Sequence, residues 1–307
     1  MIKIACVGDN VVDINYIDGI INPGGNCVNA AVYCSQLGHQ SAYVGVMADD
    51  GYADIVMDSL RKNHVDVSQC VIKHGETGRC TCRLIDGERI LGDENDGGLV
   101  KSDPLVFTPE LIRYLKDFDI VHTSCYSYFD DELGKLKAAG IPVIYDFSTV
   151  WTEEKVKKIS QSADYILFSG RDELSAVENL NMMRDAVDQF GCCLAVMTMG
   201  TKGAWVYDGH KVYKKEPYNA EGGAVDTTGC GDSWISGFIT TYIDYKKKVD
   251  HMLANAQGNF ITEKNRLDAM AHIIESAMCM GNLRARYTCR IKGAYGFGIP
   301  ISDYKEK

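Results

Sequence analysis

The stretch VDTTGCGDS (residues 225–233) places two carboxylates and two glycines directly before a helical pattern. The apolar residues that follow it recur at helical spacing: Trp234, Ile235, Phe238, Ile239, Tyr242 and Ile243. A glycine-rich turn therefore leads into a helix N-terminus, where backbone amides and the helix dipole stabilise negative charge. Asp232 is placed to accept a proton from an attacking hydroxyl while the amides hold phosphoryl oxygens. From the residues alone, a simple N-cap at Asp232 or Ser233 remains the alternative.

Two familiar phosphate-binding motifs do not fit this stretch. The chain contains no Gly-x4-Gly-Lys-Ser/Thr motif, and Trp234 stands where a dinucleotide fingerprint that begins at Gly229 and Gly231 needs its third glycine. The sequence therefore predicts neither a P-loop nor a dinucleotide-binding turn.

Upstream of this turn, short apolar runs alternate with helical patterns, which predicts a parallel sheet covered by helices on both faces. Strands are predicted at 2–7, 42–47, 120–123, 143–146, 165–168 and 194–198, and helices at 26–37, 52–63, 110–116, 131–138 and 153–159. A hairpin is predicted at 204–214, and the C-terminal third is predicted to be mainly helical. Residues 69–91 are β-rich, with a turn signal at Asp86-Gly87.

The composition is that of an ordinary globular protein. The chain has 307 residues, 46% of them apolar, and a formal net charge of −10, so neither nucleic acid nor an anionic membrane is an expected partner. No apolar stretch suits a signal peptide or a membrane span, which predicts a cytoplasmic protein with reduced thiols. Zinc binding is not predicted, because the chain has no CxxC, HxxxH or HExxH spacing among its 12 cysteines and 7 histidines.

The turn at 225–233 resembles the Asp-Thr-x-Gly-Ala-Gly-Asp hallmark of the ribokinase-like sugar kinases, the PfkB family. GGNCVN at 24–29 is similar to the family's Gly-Gly-x-x-x-Asn signature, and MADDG at 47–51 to its Gly-Asp-Asp-x-Gly turn; TMGTKG at 198–203 and KGA at 292–294 also match. The resemblance implies one doubly wound α/β domain over 1–307, with a small β-rich lid formed by about 13–21 and 69–91. It also implies ATP-dependent transfer of the γ-phosphoryl group to a primary hydroxyl of a sugar or sugar derivative.

The resemblance also assigns site residues. Asp232 becomes the general base, and the amides of Gly229, Cys230 and Gly231 become the anion hole. The residues expected to contact the acceptor sugar are Asp13, Gly25, Asn26 and Asn29. Those expected on the nucleotide side are Thr198, Gly200, Lys202, Gly203 and Asn282. Ordinary roles remain alternatives for some of them: a turn residue at Asp13, a packed helix residue at Asn29 and a solvated side chain at Lys202.

Magnesium is expected with ATP, since the charge of a polyphosphate must be neutralised for transfer. The family's usual Asn-x-x-Glu motif is replaced here by SGRDE at 169–173, so Glu173 is carried over as a magnesium residue without the asparagine. Asp226 is expected to hold the turn or to help bind a monovalent cation such as K+.

The identity of the acceptor sugar is the most specific expectation. Residues 8–14, 24–26, 31–34, 73–75 and 146–148 are most similar to family members that act on fructoselysine, which implies fructoselysine as the acceptor. Fructose, ribose or a nucleoside are the alternatives within the family, and a non-catalytic sugar sensor is the alternative from another class. The intact Asp232 and its glycines disfavour a sensor. The resemblance leaves a homodimer open.

Overall fold

The computed structural model describes residues 1–85, 88–219, 223–255 and 262–306. Its strands are β1 (Lys3–Val7), β2 (Val11–Asn15), β3 (Ile20–Gly24), β4 (Gln40–Val44), β5 (Val46–Ala48), β6 (Val71–Lys73), β7 (Gly78–Ile85), β8 (Glu88–Asp93), β9 (Ile120–Ser124), β10 (Val143–Asp146), β11 (Tyr165–Ser169), β12 (Leu194–Thr198), β13 (Ala204–Tyr207), β14 (Val212–Lys215) and β15 (Ile299–Pro300). Its helices are α1 (Asn26–Gln36), α2 (Gly51–Lys62), α3 (Gly98–Ser102), α4 (Pro109–Leu115), α5 (Leu133–Ala138), α6 (Glu153–Ser160), α7 (Ala176–Arg184), α8 (Cys230–Asn255) and α9 (Glu263–Thr288).

The main sheet confirms the predicted α/β class. Its eight strands run in the order β14-β13-β12-β11-β10-β9-β1-β4, and the six from β12 to β4 pair in parallel. β9 and β10 are buried along their whole length, as expected for strands covered on both faces. β13 and β14 form the predicted hairpin at the antiparallel edge. Helices cover the sheet because its parallel strands need crossover connections.

A second sheet of five strands runs in the order β15-β3-β2-β7-β8. It contains strands from both segments expected to form the lid, since β2 and β3 include the two ends of 13–21, and β7 and most of β8 fall within 69–91. The beginning of 69–91 behaves differently, because β6 pairs with β5 in a separate two-stranded sheet. The predicted Asp86-Gly87 turn lies outside the described residues.

The prediction of one strand at 42–47 was wrong. The strand is interrupted at Gly45, and the chain leaves the main sheet to continue as β5. A Cβ at Gly45 would lie 2.1 Å from the Tyr43 hydroxyl oxygen and 2.7 Å from the Gly8 carbonyl oxygen. The close approach of the first strand's end leaves room there only for glycine.

Helices α8 and α9 pack closely against each other. The apolar residues predicted to form a stripe on α8 are all buried, and the Trp234, Phe238 and Tyr242 rings stack along it with centroids 5.2 and 5.9 Å apart. A Cβ at Gly281 of α9 would lie 2.7 Å from the Trp234 ring. This contact holds the N-terminal part of α8 firmly. Over the described ranges, no helix combines the length and apolar character needed to cross a membrane.

Candidate active site

Asp232 lies in the first turn of α8 and faces α1. The Asn29 Nδ2 group donates to Asp232 Oδ2 at 2.7 Å, which joins residues 203 positions apart in the chain. Within the described part of the chain, no donor contacts the second carboxylate oxygen, Oδ1. Asn29 thus orients the carboxylate and leaves one oxygen available to a ligand.

Asp226 holds the glycine-rich turn. Its Oδ1 accepts hydrogen bonds from the Thr228 amide at 2.9 Å and from the Thr228 hydroxyl at 2.8 Å. Its Oδ2 accepts from the Gly293 amide at 2.9 Å. The carboxylate therefore connects the turn before α8 to the segment after α9.

Gly229 adopts the left-handed conformation, with φ at 71°. A Cβ there would lie 2.5 Å from the Tyr33 hydroxyl oxygen and 2.9 Å from the Ala294 Cβ. Tyr33 is fully buried on α1, and its hydroxyl has no hydrogen-bond partner among the described residues. Both backbone conformation and space therefore require glycine at this position.

The amides of the turn are not all available. The Cys230 amide donates to the Thr227 carbonyl at 3.1 Å, so the turn itself uses one of the three predicted anion-hole amides. The amides of Gly229, Gly231 and Asp232 have no acceptor in the described segments. Three N–H groups thus remain for a ligand at the positive end of α8.

The Cys230 thiol does not share the lowered pKa that a helix N-terminus can give. Burial is the main cause that raises the pKa of Cys230 to about 12, and the charges of Cys289, Asp226 and Asp232 add to it. The thiol is therefore protonated at neutral pH.

Asp9 follows β1 and anchors the N-terminus of α1. Its Oδ2 accepts from the Asn26 amide at 2.6 Å, and its Oδ1 accepts from the Ser124 hydroxyl at 2.7 Å. Gly25 precedes α1 with φ at 107°, and a Cβ there would lie 2.9 Å from the Asp9 carbonyl oxygen. Gly25 is thus required for the contact that brings α1 to the end of β1.

Asp146 ends β10 and is only 4% exposed. Its Oδ1 accepts from the Ser148 amide at 2.7 Å, and its Oδ2 accepts from Asn26 Nδ2 at 3.2 Å. Burial raises the pKa of Asp146 to about 7, with a further contribution from the charge of Asp9; the hydrogen bonds from Ser148 and Asn26 act in the opposite direction.

Asp13 lies on β2 beside Gly24, where a Cβ would be 2.8 Å from Asp13 Oδ2. Burial, and then the charge of Asp226, raise the pKa of Asp13 to about 6. Burial also raises the pKa of Asp232 well above its usual value, followed by the charge of Asp146 and, more weakly, those of Asp9 and Asp13. The hydrogen bond from Asn29 opposes this rise. Asp9, Asp13 and Asp146 are therefore electrostatically coupled to the predicted base.

The predicted nucleotide residues 198–203 form a glycine turn at the carboxyl end of β12. Thr198 ends the strand, and Gly200–Lys202 is a 3-10 turn. A Cβ at Gly203 would lie 2.2 Å from the Lys215 carbonyl oxygen. Lys202 is exposed, and its Nζ lies 2.6 Å from Asp172 Oδ1.

Asn282 connects α9 to its neighbours. The residue is 3% exposed, its Oδ1 accepts from Trp234 Nε1 at 2.9 Å, and its Nδ2 donates to the Glu216 carbonyl at 2.6 Å. These bonds give Asn282 a role in the packing of α9 against α8, and its contact with the nucleotide stays a prediction.

Glu173 is largely exposed and lies 3.2 Å from Arg171 Nε. The Arg171 guanidinium stacks on Trp151 at 4.3 Å from the ring centroid. Over the part of the chain that the structure describes, no group of three or more His, Cys, Asp or Glu side chains is arranged to hold a metal ion. A metal at this site would therefore need most of its ligands from a bound nucleotide or from water.

Two residues of the site were not assigned from the sequence: Tyr33 and Asp146. Asp146 had a local signal, because it ends a buried strand of the parallel sheet, where ligands commonly bind. Tyr33 had none, since a buried tyrosine on a tightly packed helix is indistinguishable from core.

A helix N-terminus with free amides and a carboxylate beside it, at the edge of a parallel α/β sheet, can support phosphoryl transfer to an alcohol group. The model of the pfkB family carbohydrate kinases matches residues 3–267, and the chain belongs to this family. It is an ATP-dependent sugar kinase, as predicted.

Two relatives and one solved structure show how similar this chain is to known proteins. The fructosamine kinase FrlD of Bacillus subtilis (strain 168) is 31% identical over 299 residues, which cover 97% of this chain and 94% of the relative. The fructoselysine 6-kinase of Escherichia coli (strain K12) is 31% identical over 239 residues, covering 78% of this chain and 88% of the relative. Arabidopsis thaliana ribokinase, solved with ribose and ATP, is similar in fold with a TM-score of 0.73 at 17% identity, over 95% of this chain and 94% of that one.

Proposed function

We propose that this kinase phosphorylates the 6-hydroxyl of a fructosamine, with fructoselysine as the first acceptor to test. The observation that carries the proposal is the similarity to the fructosamine kinase over 97% of the chain and to the fructoselysine 6-kinase over 78%, at 31% identity in both cases. Fructose, ribose and nucleosides remain the alternative acceptors.

Asp232 is the proposed general base. The Asn29 hydrogen bond holds Oδ2, so the free Oδ1 can receive the proton of a primary hydroxyl. Burial raises its pKa above the usual range of a carboxyl group, which makes the carboxylate a stronger base. Such a base contributes about 10²–10⁴-fold to the rate.

The acceptor site is proposed to comprise Asp13, Gly25, Asn26 and Asn29. The support is the unpaired Oδ1 of Asn29, since a buried acceptor without a donor is rare in folded proteins. A sugar hydroxyl would supply that donor.

The γ-phosphoryl group is proposed to bind the free amides of Gly229, Gly231 and Asp232, with Cys230 forming the turn between them.

ATP is proposed to lie near Thr198, Gly200, Lys202 and Gly203, with Lys202 exchanging its contact with Asp172 for a phosphate.

Magnesium fits this chain as an ion held mainly by phosphates and water with one carboxylate, which is its common mode of binding beside nucleotides. Glu173 would be that carboxylate. When bound, the ion neutralises charge on the transferring group. A K+ site at Asp226 stays a prediction, because its carboxylate already holds the turn.

The second sheet is proposed to act as a lid over the sugar, and its closure would exclude water from the phosphoryl group. A homodimer stays a prediction from the family resemblance. A cytoplasmic location is proposed from the use of ATP and from the 12 cysteines, which form no disulfide among the described residues.

The test is a panel of acceptors scored for ADP release with MgATP: fructoselysine, another fructosamine, fructose, ribose and adenosine. We expect the largest kcat/KM with the fructosamines. Turnover of only a plain sugar or a nucleoside would overturn the proposed acceptor. Absence of ADP release with every acceptor of the panel would favour the non-catalytic sugar sensor instead.

A further inference from the structure

Three carboxylates from different elements meet in the candidate acceptor site: Asp13 of β2, Asp146 of β10 and Asp232 of α8. Helix α1 binds two of them from adjacent turns. Asn26 Nδ2 donates to Asp146, and Asn29 Nδ2 donates to Asp232. Because residues three apart on a helix lie roughly 5–6 Å from each other, the two carboxylates are held about one helix turn apart along the same face.

In the described part of the chain, no Lys or Arg side chain forms an ion pair with any of these three carboxylates. Lys155, for example, pairs with Asp130 at 3.4 Å. A buried anion without a counter-ion is unfavourable, so the site is electrostatically complementary to a cation.

A second observation points to a ligand that carries hydrogen-bond donors. Asn29 is only 5% exposed, and its Oδ1 has no donor among the described residues, although its Nδ2 donates to Asp232. The unpaired oxygen therefore lies beside the carboxylate group. The site is lined by acceptors, which suits a ligand that brings N–H or O–H groups.

We propose that Asp146 determines acceptor specificity by binding the protonated amine of a fructosamine while Asp232 receives its primary hydroxyl. This inference rests on the proposed function. A fructosamine carries an amine in place of the C1 hydroxyl of fructose, and that amine is protonated at neutral pH. The amine and the 6-hydroxyl lie at opposite ends of the sugar, which suits two carboxylates held one helix turn apart.

The choice of Asp146 follows from the contacts of its neighbours. Asp9 already accepts hydrogen bonds from the Asn26 amide and the Ser124 hydroxyl, and Asp13 lies beside Gly24 and is bonded by neither Asn26 Nδ2 nor Asn29 Nδ2. Among the described residues, Asp146 Oδ2 accepts one hydrogen bond, from Asn26 Nδ2 at 3.2 Å, which leaves a lone pair for an ammonium group.

The experiment compares 1-amino-1-deoxyfructose with fructose, a pair that differs only in the charged group. Inhibition constants of both are measured against fructoselysine turnover in the wild type, Asp146→Asn and Asp146→Glu. We expect the wild type to bind the amine at least tenfold more tightly than fructose, Asp146→Asn to lose most of that preference, and Asp146→Glu to keep part of it. The ratio of the two constants in one preparation does not depend on the folded fraction.

Asp58→Asn serves as the control, because Asp58 is an exposed residue of α2 that loses the same charge far from the cluster. The inference would be overturned by a wild type that does not prefer the amine over fructose, or by an Asp146→Asn variant that keeps this preference. In either case, turnover of fructoselysine by the wild type would leave the proposed function standing. Absence of fructoselysine turnover by the wild type would instead contradict the proposed function.

Discussion

At the scale of single residues, Gly229 sets the geometry of the phosphoryl-binding turn. Its φ of 71° and the 2.5 Å between its hypothetical Cβ and the Tyr33 hydroxyl leave no space for a side chain. We predict that Gly229→Ala lowers kcat/KM for ADP release about tenfold or more, since strain of this kind costs about 1–3 kcal/mol. Steady-state kinetics measure the effect.

The control for Gly229→Ala is the double variant with Tyr33→Phe. Removing the Tyr33 hydroxyl relieves the closest contact but not the backbone strain, so part of the activity should return. A Gly229→Ala enzyme with the wild-type rate would show that catalysis does not require glycine at this position of the turn.

Asp13 gives a pH-dependent prediction. Its pKa is raised to about 6 in the folded state by burial and Asp226, so the protonated form stabilises the fold at low pH and this stability is lost as the pH rises through 6. Asp13→Asn should therefore raise the free energy of unfolding at pH 8, on the order of 1 kcal/mol, and change it little near pH 4. Urea unfolding at both pH values measures this. A variant less stable than the wild type at pH 8 would contradict the assigned pKa.

At the scale of elements, Asn282 connects α9 to α8 and to the chain after β14. Asn282→Leu would leave the Trp234 N–H and the Glu216 carbonyl without partners, and each such loss costs about 1–3 kcal/mol. We predict a lower free energy of unfolding with an unchanged KM for ATP. Leu283→Ala, which alters an exposed neighbour on the same helix, is the control. A raised KM for ATP at an unchanged free energy of unfolding would instead support contact between Asn282 and the nucleotide.

The elements that the sequence predicted well are those whose burial is continuous. β9–β12 and the stripe on α8 follow from apolar runs and helical spacing. Helix α7 escaped prediction because only two of its residues are buried, although Ser175 and Glu178 form a capping box that marks its start. The pairing of β6 with β5 depends on a long-range contact that no local pattern records.

The sequence predicted the site residues that lie within recognisable motifs. The turn at 225–233 was found from its glycines and its position before a helical pattern, whereas Asn26 and Asn29 of α1 were assigned by the resemblance of residues 24–29 to a family signature. Asp146 and Asp9 enter the site through contacts across more than 100 positions, and the engagement of Asn282 depends on Trp234 one helix away. Such pairings are fixed by the packing of whole elements and have no local signature.

At the scale of the whole molecule, the fold places a small sheet against a large one with the acidic site where they meet. β2 carries Asp13, and β3 leads directly into α1 with Asn26 and Asn29. We predict that fructoselysine with a non-hydrolysable ATP analogue slows hydrogen exchange in β7 and β8, as closure of a lid requires, and leaves β9 and β10 unchanged. Exchange followed by mass spectrometry tests this. Protection confined to the large sheet would contradict a lid.

The most direct test of the central claim is ADP release by Asp232→Asn with MgATP and the best acceptor. We predict a loss of about 10²–10⁴-fold, with a melting temperature no lower than that of the wild type, because the substitution removes a buried charge. Asp250→Asn on the exposed face of the same helix should keep the wild-type rate. A folded Asp232→Asn enzyme within a few-fold of the wild-type rate would contradict the assignment of Asp232 as the base.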